Sequence, residues 1–340
     1  MYTDKMEAKI CLIGYGNVGE SLIKLLIEKN NFFKKKLNLE IKVIAIFESD
    51  GALIDQNGLN LVEIIRKGKE FRNLVYWRKN RLFNDVVSNL DVDIIVETTP
   101  TNTKTGEPGL SHIIAALNNN IDVVSSNKGP FYLAYDKILK LAKEKACYVK
   151  FEATVASCVP IVSIKKNLIG NYITGIKAIL NGTSNYILSR MTAESIDFST
   201  ALKEAQELGY AEAQPYLDID GYDAAGKLVI LANQLMGWSR SIKDVKIKGI
   251  SKITPHAIEL AKSEGLVIKP LAVAENDKLI VEPRLIEKDS PLNINGTLNV
   301  IELNTEYAGP IVFIGRGAGG YEAASAIIND LLTILKIKYT

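Results

Sequence analysis

With 340 residues, 47% of them apolar and 24% charged, the chain is long enough for two domains that each bury a core. Its 41 basic and 39 acidic side chains leave a formal charge of +2, which argues against a broad electrostatic surface for nucleic acid or an anionic membrane. No apolar run is long enough to span a bilayer, and the run behind Asp4, Lys5, Glu7 and Lys9 is too short for a signal-peptide core. The expected setting is therefore the cytoplasm. Cys11, Cys147 and Cys158 are spaced for neither a zinc site nor a disulfide framework.

Short, β-branched, nearly continuous apolar runs at residues 10–13, 41–47, 92–96 and 122–126 read as strands. Helical patterns at 18–28, 110–118 and 133–145 alternate with them, and Lys34-Lys35-Lys36 reads as a solvated loop. Continuous apolar strands alternating with helices predict an α/β domain, a doubly wound parallel sheet covered on both faces. After Phe151 the texture changes. Strand-like runs at 175–180, 266–274, 278–286 and 298–303 surround a helical block at 185–237, predicting an α+β domain with a mixed sheet. The chain closes with a strand at 310–314, a glycine-rich turn and a helix. The expected division is a dinucleotide-binding domain at 1–151, completed by 315–340, and a catalytic and dimerisation domain at 152–314.

Gly14-Tyr15-Gly16-Asn17-Val18-Gly19 fits G-x-G-x-x-G directly after an apolar strand and at the opening of a helix. That context lets the backbone approach a pyrophosphate, with helix N–H groups and the helix dipole facing it, as in Rossmann-type folds. The second strand ends at Glu48, an acidic residue placed to bind both hydroxyls of an adenosine ribose and to repel a 2′-phosphate. No arginine follows before Arg66, so NAD is favoured over NADP. The alternative is that Glu48 and Asp50 only cap a loop. Residues 315–320, Gly-Arg-Gly-Ala-Gly-Gly, lie between strand and helix and read either as a second phosphate cradle or, since one chain seldom needs two, as a turn that brings the returning chain close to the cofactor.

Hydride transfer at a carbonyl carbon needs a group that exchanges the oxygen's proton. Neither His112 nor His256 has a convincing carboxylate partner close in sequence, and both read as structural. The segment from Glu212 to Lys227 is the densest charge in an apolar setting. Asp223 and Lys227 are four apart on one helix face, near the helix start, where dipole and burial favour a neutral amine. The same spacing suits an exposed helix salt bridge, worth little. Lys128, after the strand that ends at Ser126, sits where ligands bind in open α/β sheets; the alternative is a solvated loop lysine.

At these residues the chain resembles the homoserine dehydrogenase family, over residues 10–332. The blocks that carry the resemblance are GYGNVG, TPTNTKTGEPGLSH with SSNKGP, ILNGTSNYIL, and LGYAEAQPYLDIDGYDAAGKL. The family interconverts L-homoserine and L-aspartate 4-semialdehyde with NAD or NADP. The resemblance implies that Lys227 is the catalytic lysine, with Lys128 as a second lysine and Asp218 as an acidic group near the reacting hydroxyl. It implies that Glu212 and Asp223 hold the homoserine ammonium, and that Gly182, Thr183 and Tyr210 line the pocket. It implies that Thr99, Ser126 and Gly317 touch the cofactor, beside Gly14, Gly16, Asn17, Val18, Gly19 and Glu48. It also implies a homodimer joined through the catalytic sheet, and a sodium ion held near Glu152, Val155, Ser157 and Val159. The chain departs from the family at Ala156, Ser157 and Cys158, where glycines are usual, and at Ala323, where threonine is common. Neither an added regulatory domain nor a kinase is expected in this length. The rival readings are another amino-acid-linked reductase, which would not carry the NGTSNYIL and DGYDAAGK blocks together, and a non-catalytic NAD(P)-sensing protein, which need not keep both lysines.

Overall fold

The computed structural model describes residues 6–339, so Asp4 and Lys5 lie outside the described residues. Two compact units divide the chain: residues up to Thr154 together with those from Gly319, and Val155–Ala318.

The first unit runs β1 (Met6–Ile13), α1 (Asn17–Leu37), β2 (Leu39–Glu48), β3 (Gly51–Ile54), α2 (Leu61–Lys67), β4 (Trp77–Lys79), α3 (Phe83–Val86), β5 (Ile94–Glu97), α4 (Gly109–Asn118), β6 (Asp122–Ser125), α5 (Lys128–Glu144) and β7 (Val149–Lys150). Its sheet has the order β4-β3-β2-β1-β5-β6-β7. The five strands from β2 to β7 in that order pair in parallel. Ile10, Cys11, Leu12, Ile94, Ile95 and Val96 are all closed to solvent, as strands covered on both faces require. The sheet is not wholly parallel, as the apolar runs alone implied: β3 and β4 add an antiparallel edge. The cause is the tight turn at Ser49-Asp50, which pairs Glu48 with Gly51 and sends the chain straight back.

Helix α1 also corrects the reading of Lys34-Lys35-Lys36 as a loop. Phe33 is 2% exposed, and burying such a ring is worth roughly 1.5–3 kcal/mol, which extends the helix past the expected end. The three lysines then fall in its last turn, where cations suit the negative end of the dipole. Asn38 ends it in the left-handed conformation, its N–H on the Phe33 carbonyl.

The second unit runs β8 (Ile173–Ile179), α6 (Gly182–Glu194), α7 (Phe198–Glu207), α8 (Tyr216–Ile219), α9 (Tyr222–Leu231), β9 (Val245–Ile247), α10 (Pro255–Ser263), β10 (Leu266–Glu275), β11 (Lys278–Glu287), β12 (Leu298–Thr305) and β13 (Gly309–Arg316). The sheet order is β13-β12-β8-β10-β11-β9, antiparallel except for β9 on β11. Asn276 and Asp277, both at positive φ, make the two-residue turn between β10 and β11. Ile187, Leu188 and Met191 of α6 pack with Ala201, Ala205, Ile258 and Ile268. Helix α9 is buried from Ala224 to Leu231, so any charge on that stretch is held in the core. The last strand stays in this sheet, on β12. Only α11 (Gly320–Tyr339) returns to the first unit, where Ile327, Leu331 and Ile334 bury one face.

Candidate active site

In the first unit, Gly14 leaves β1 at φ 95° and α1 opens at Asn17. A Cβ on Gly19 would collide with the Gly14 carbonyl, which is why the third glycine is required there. Around Gly16 nothing lies within 4 Å of where a Cβ would stand, and no side chain caps α1. The first-turn N–H groups thus open on a bare backbone surface, which fits a pyrophosphate. Asn17 and Ser21 meet the backbone at Gly320, so the returning helix braces the same turn.

Glu48, at the end of β2, accepts a hydrogen bond from the Tyr15 N–H inside the glycine loop. The expectation that no arginine stands near it is corrected. Arg72 grips Asp50 through Nε at 2.9 Å, and its Nη2 lies 3.7 Å from Glu48 Oε2. Its guanidinium also stacks over Phe71 and Trp77. The antiparallel β3–β4 edge brings back this distant residue, which counting forward from Glu48 could not reveal.

The other expected cofactor contacts meet around a carboxylate that sequence reasoning did not single out. Glu97, at the end of β5, is fully buried. Its Oε1 accepts from the Thr99 hydroxyl and the Thr99 N–H, and lies 3.6 Å from His112 Nδ1. The Ser126 N–H donates to the Glu97 carbonyl at 3.0 Å. Asn127 donates to Thr99 Oγ1 at 3.2 Å and accepts from the Gly129 N–H, capping the helix whose first residue is Lys128. One network therefore places Thr99, Ser126 and Lys128 together. His112 gains through the fold the carboxylate it lacks in sequence; His256 is exposed on α10.

In the second unit, Lys227 is 7% exposed. Its Nζ donates to the Leu180 carbonyl at 2.7 Å and pairs with Asp223 Oδ2 at 2.8 Å. The alternative of a surface salt bridge is therefore excluded by burial. Asn181 joins the cluster: its Nδ2 donates to Asp218 Oδ1 at 2.6 Å and to Asp223 Oδ2 at 3.1 Å. Burial, reinforced by the Asp223 charge, holds the Asp218 carboxyl above the usual carboxylate range. Thr183 Oγ1 donates to the Tyr210 carbonyl at 2.7 Å, and the Tyr210 ring lies against Tyr186. Gly182, Thr183, Tyr210, Asp218, Asp223 and Lys227 are thus drawn together. Glu212, two residues past Tyr210, is exposed.

Two family patterns match: homoserine dehydrogenase at residues 160–332, and the homoserine dehydrogenase NAD-binding domain at 14–152. The chain is 46% identical to a homoserine dehydrogenase of Methanocaldococcus jannaschii, over 96% of this chain and 98% of that protein. It is 34% identical to an NAD(+)-dependent homoserine dehydrogenase of Pseudomonas canavaninivorans, over 96% of each. A hyperthermophilic archaeal homoserine dehydrogenase solved in complex with NADPH superposes with a TM-score of 0.84 at 27% identity, covering 98% of both chains. The chain belongs to the homoserine dehydrogenase family.

As a member it is an oxidoreductase of the CH–OH group that uses NAD or NADP. Asn181 is the family-block residue that the sequence reading passed over. Its signal was visible: an Asn before Gly-Thr-Ser and an apolar helix is an N-cap pattern, and its Oδ1 does cap Ser184. Gly317 is buried against the Asn299 amide, and its carbonyl accepts from Ser157 Oγ. Ser157 takes φ 45°, a left-handed conformation that glycine adopts more readily. Among the described residues no group of three or more His, Cys, Asp or Glu is placed to hold a metal ion, and none of the described helices is long and apolar enough to cross a membrane.

Proposed function

We propose that the chain interconverts L-homoserine and L-aspartate 4-semialdehyde, a step toward threonine and methionine, with the first unit as its dinucleotide-binding domain and the second as its catalytic domain. The observation that carries this reading is the buried amine of Lys227 between Asp223 and the Leu180 carbonyl. NAD(P), when bound on the glycine loop, supplies the hydride acceptor or donor. During alcohol oxidation the neutral Lys227 amine takes the hydroxyl proton, and Asp223 stabilises the ammonium that forms. In the reverse direction Lys227 returns that proton to the new alkoxide. Lys128 assists as the second lysine, and Asp218, whose carboxyl burial and Asp223 hold above the usual range, orders the reacting hydroxyl. Asp223 and Glu212 bind the substrate ammonium, while Gly182, Thr183 and Tyr210 shape the wall. Gly317 contacts the cofactor.

The protein acts in the cytoplasm as a homodimer joined through the second sheet. Support for that joining comes from β13 as the outer strand of that sheet, with an edge a partner strand would pair. A sodium ion near Glu152, Val155, Ser157 and Val159 would rely on backbone carbonyls, the Ser157 hydroxyl already donating to the Gly317 carbonyl; it enters no step. Homoserine with NAD and NADP in parallel, followed at the reduced-nicotinamide band, tests the activity. Cofactor binding without turnover would instead indicate an NAD(P)-sensing protein.

A further inference from the structure

Lys269 lies on β10, 2% exposed. Strand β10 pairs with β8 at Ala272 and Ala178, and β12 pairs with it at Val300 and Ile179. Continuing both registers puts Lys269 and Leu298 level with Asn181, one on each side of the point where β8 ends and α6 begins. The first turn of α6 therefore emerges in a gap between two strand ends, and what fills the gap determines where that turn sits.

The filling is an ammonium among oxygens. Lys269 Nζ donates to the Ile294 carbonyl and, at 2.9 Å, to Asn295 Oδ1. Ser189 Oγ and Asn185 Oδ1, both from α6, lie at 3.4 and 3.5 Å. The same Asn185, fully buried, donates through Nδ2 to the Gly296 carbonyl at 3.0 Å and to the Ile294 and Leu298 carbonyls at 3.3 Å. Residues 294–298 are thus clamped to α6 by one cation and one amide. The segment bears directly on the site: a Cβ on Gly182 would fall 2.6 Å from the Thr297 carbonyl, so the helix start rests on this backbone without spare room.

We propose that Lys269 is a positioning residue for the reaction, a tethered cation that locks residues 294–298 against the first turn of α6 and so sets where Asn181 and Thr183 meet the substrate. This rests on the reading of that turn as a wall of the substrate pocket. None of the ammonium's acceptors is a carboxylate, and burial pushes its pKa down to about 8. A buried cation without a counter-charge costs stability rather than adding to it. Its effect is geometric: neutral oxygens converge on it as they would on a monovalent ion, and they hold the loop in one arrangement.

Lys269→Met and Lys269→Ala test this in the full chain. Both should raise the KM for homoserine about tenfold with kcat nearly kept, as loss of ground-state binding does, and NADH affinity by fluorescence titration should not change. For Lys269→Ala, n-propylammonium should restore KM, and 1-propanol, which fills the same space without charge, should not. Asn295→Ala, which removes one acceptor, should give a smaller rise. An unchanged KM in folded Lys269→Met, or equal rescue by the amine and the alcohol, overturns the proposal. If the Lys269 variants do not fold, an unchanged KM in Asn295→Ala overturns it. Lys227→Ala separates the two levels: if it is inactive while Lys269→Met is normal, only this inference fails, whereas an active Lys227→Ala brings down the site reading itself.

Discussion

The Nζ of Lys227 lies 2.8 Å from Oδ2 of Asp223, one turn earlier on α9, and the two side chains are 9% and 13% exposed. An i, i+4 pair in water is worth a few tenths of a kcal/mol. Held in the core, the same pair is shielded from the water that weakens it at a surface, which is the setting the proposed proton exchange calls for. Lys227→Ala should lower kcat by roughly two to four powers of ten, the usual worth of a positioned acid–base group. NADH affinity should survive, because the glycine loop belongs to the other unit. Steady-state kinetics with a fluorescence titration checks both, and a variant with wild-type kcat would remove Lys227 from the chemistry.

Asp218 makes a prediction about pH. Its carboxyl is held above its ordinary value of 3.8 by burial and by Asp223. Between 3.8 and the raised folded value, the native state keeps a proton that the unfolded state has lost. Stability from this group therefore falls as pH rises through that window, and the deficit persists above it. Asp218→Asn should raise the melting temperature at neutral pH, and the gain should shrink as pH falls toward 3.8. Thermal melts across this range decide it; a gain that grows on acidification would contradict the assignment.

Glu48 and Arg72 together make a prediction about cofactor choice. Glu48 is proposed to oppose a 2′-phosphate, so kcat/KM should be higher with NAD than with NADP. Arg72, tied to Asp50 and near Glu48, should soften that exclusion. Arg72→Ala should weaken NADPH binding about tenfold, the scale of one charge-assisted hydrogen bond, and leave NADH nearly unchanged. Glu48→Gln should narrow the gap between the cofactors. Equal losses for NADH and NADPH in Arg72→Ala would show that the arginine serves only the loop.

The substrate ammonium is the most specific claim. A site built for it leaves desolvated carboxylates unpaired when it is missing, so 4-hydroxybutyrate should lose about a thousandfold in kcat/KM against homoserine. Asp223, mostly buried, should matter more than the exposed Glu212. Asp223→Asn should therefore close more of that gap than Glu212→Gln. Oxidation of both compounds within about tenfold by the wild type, less than a polar site should allow, would reopen the substrate assignment.

Strands β1, β2, β5 and β6 of the first sheet, β8 and β10 to β13 of the second, the glycine loop and the charge of the Asp223–Lys227 turn were legible in the sequence, because each is written in local periodicity or short spacing. Residues 10–13 and 94–96 are apolar without a break since both faces of that sheet are covered. Other features depended on contacts between distant segments. The reach of α1 was set by the burial of Phe33, and the β3–β4 edge by a turn at Ser49-Asp50. Burial, too, is a property of the packed chain: spacing put Lys227 and Asp223 on one face, and only the core around α9 made their pairing a chemical one. Arg72 came to Glu48, Glu97 to His112, and Lys269 to Asn185 of α6 across 24, 15 and 84 positions respectively. Local propensity carries no information over such separations. A side chain's partners at that range are chosen by strand order and register, and strand order is decided when the hydrophobic faces of the whole unit are buried together.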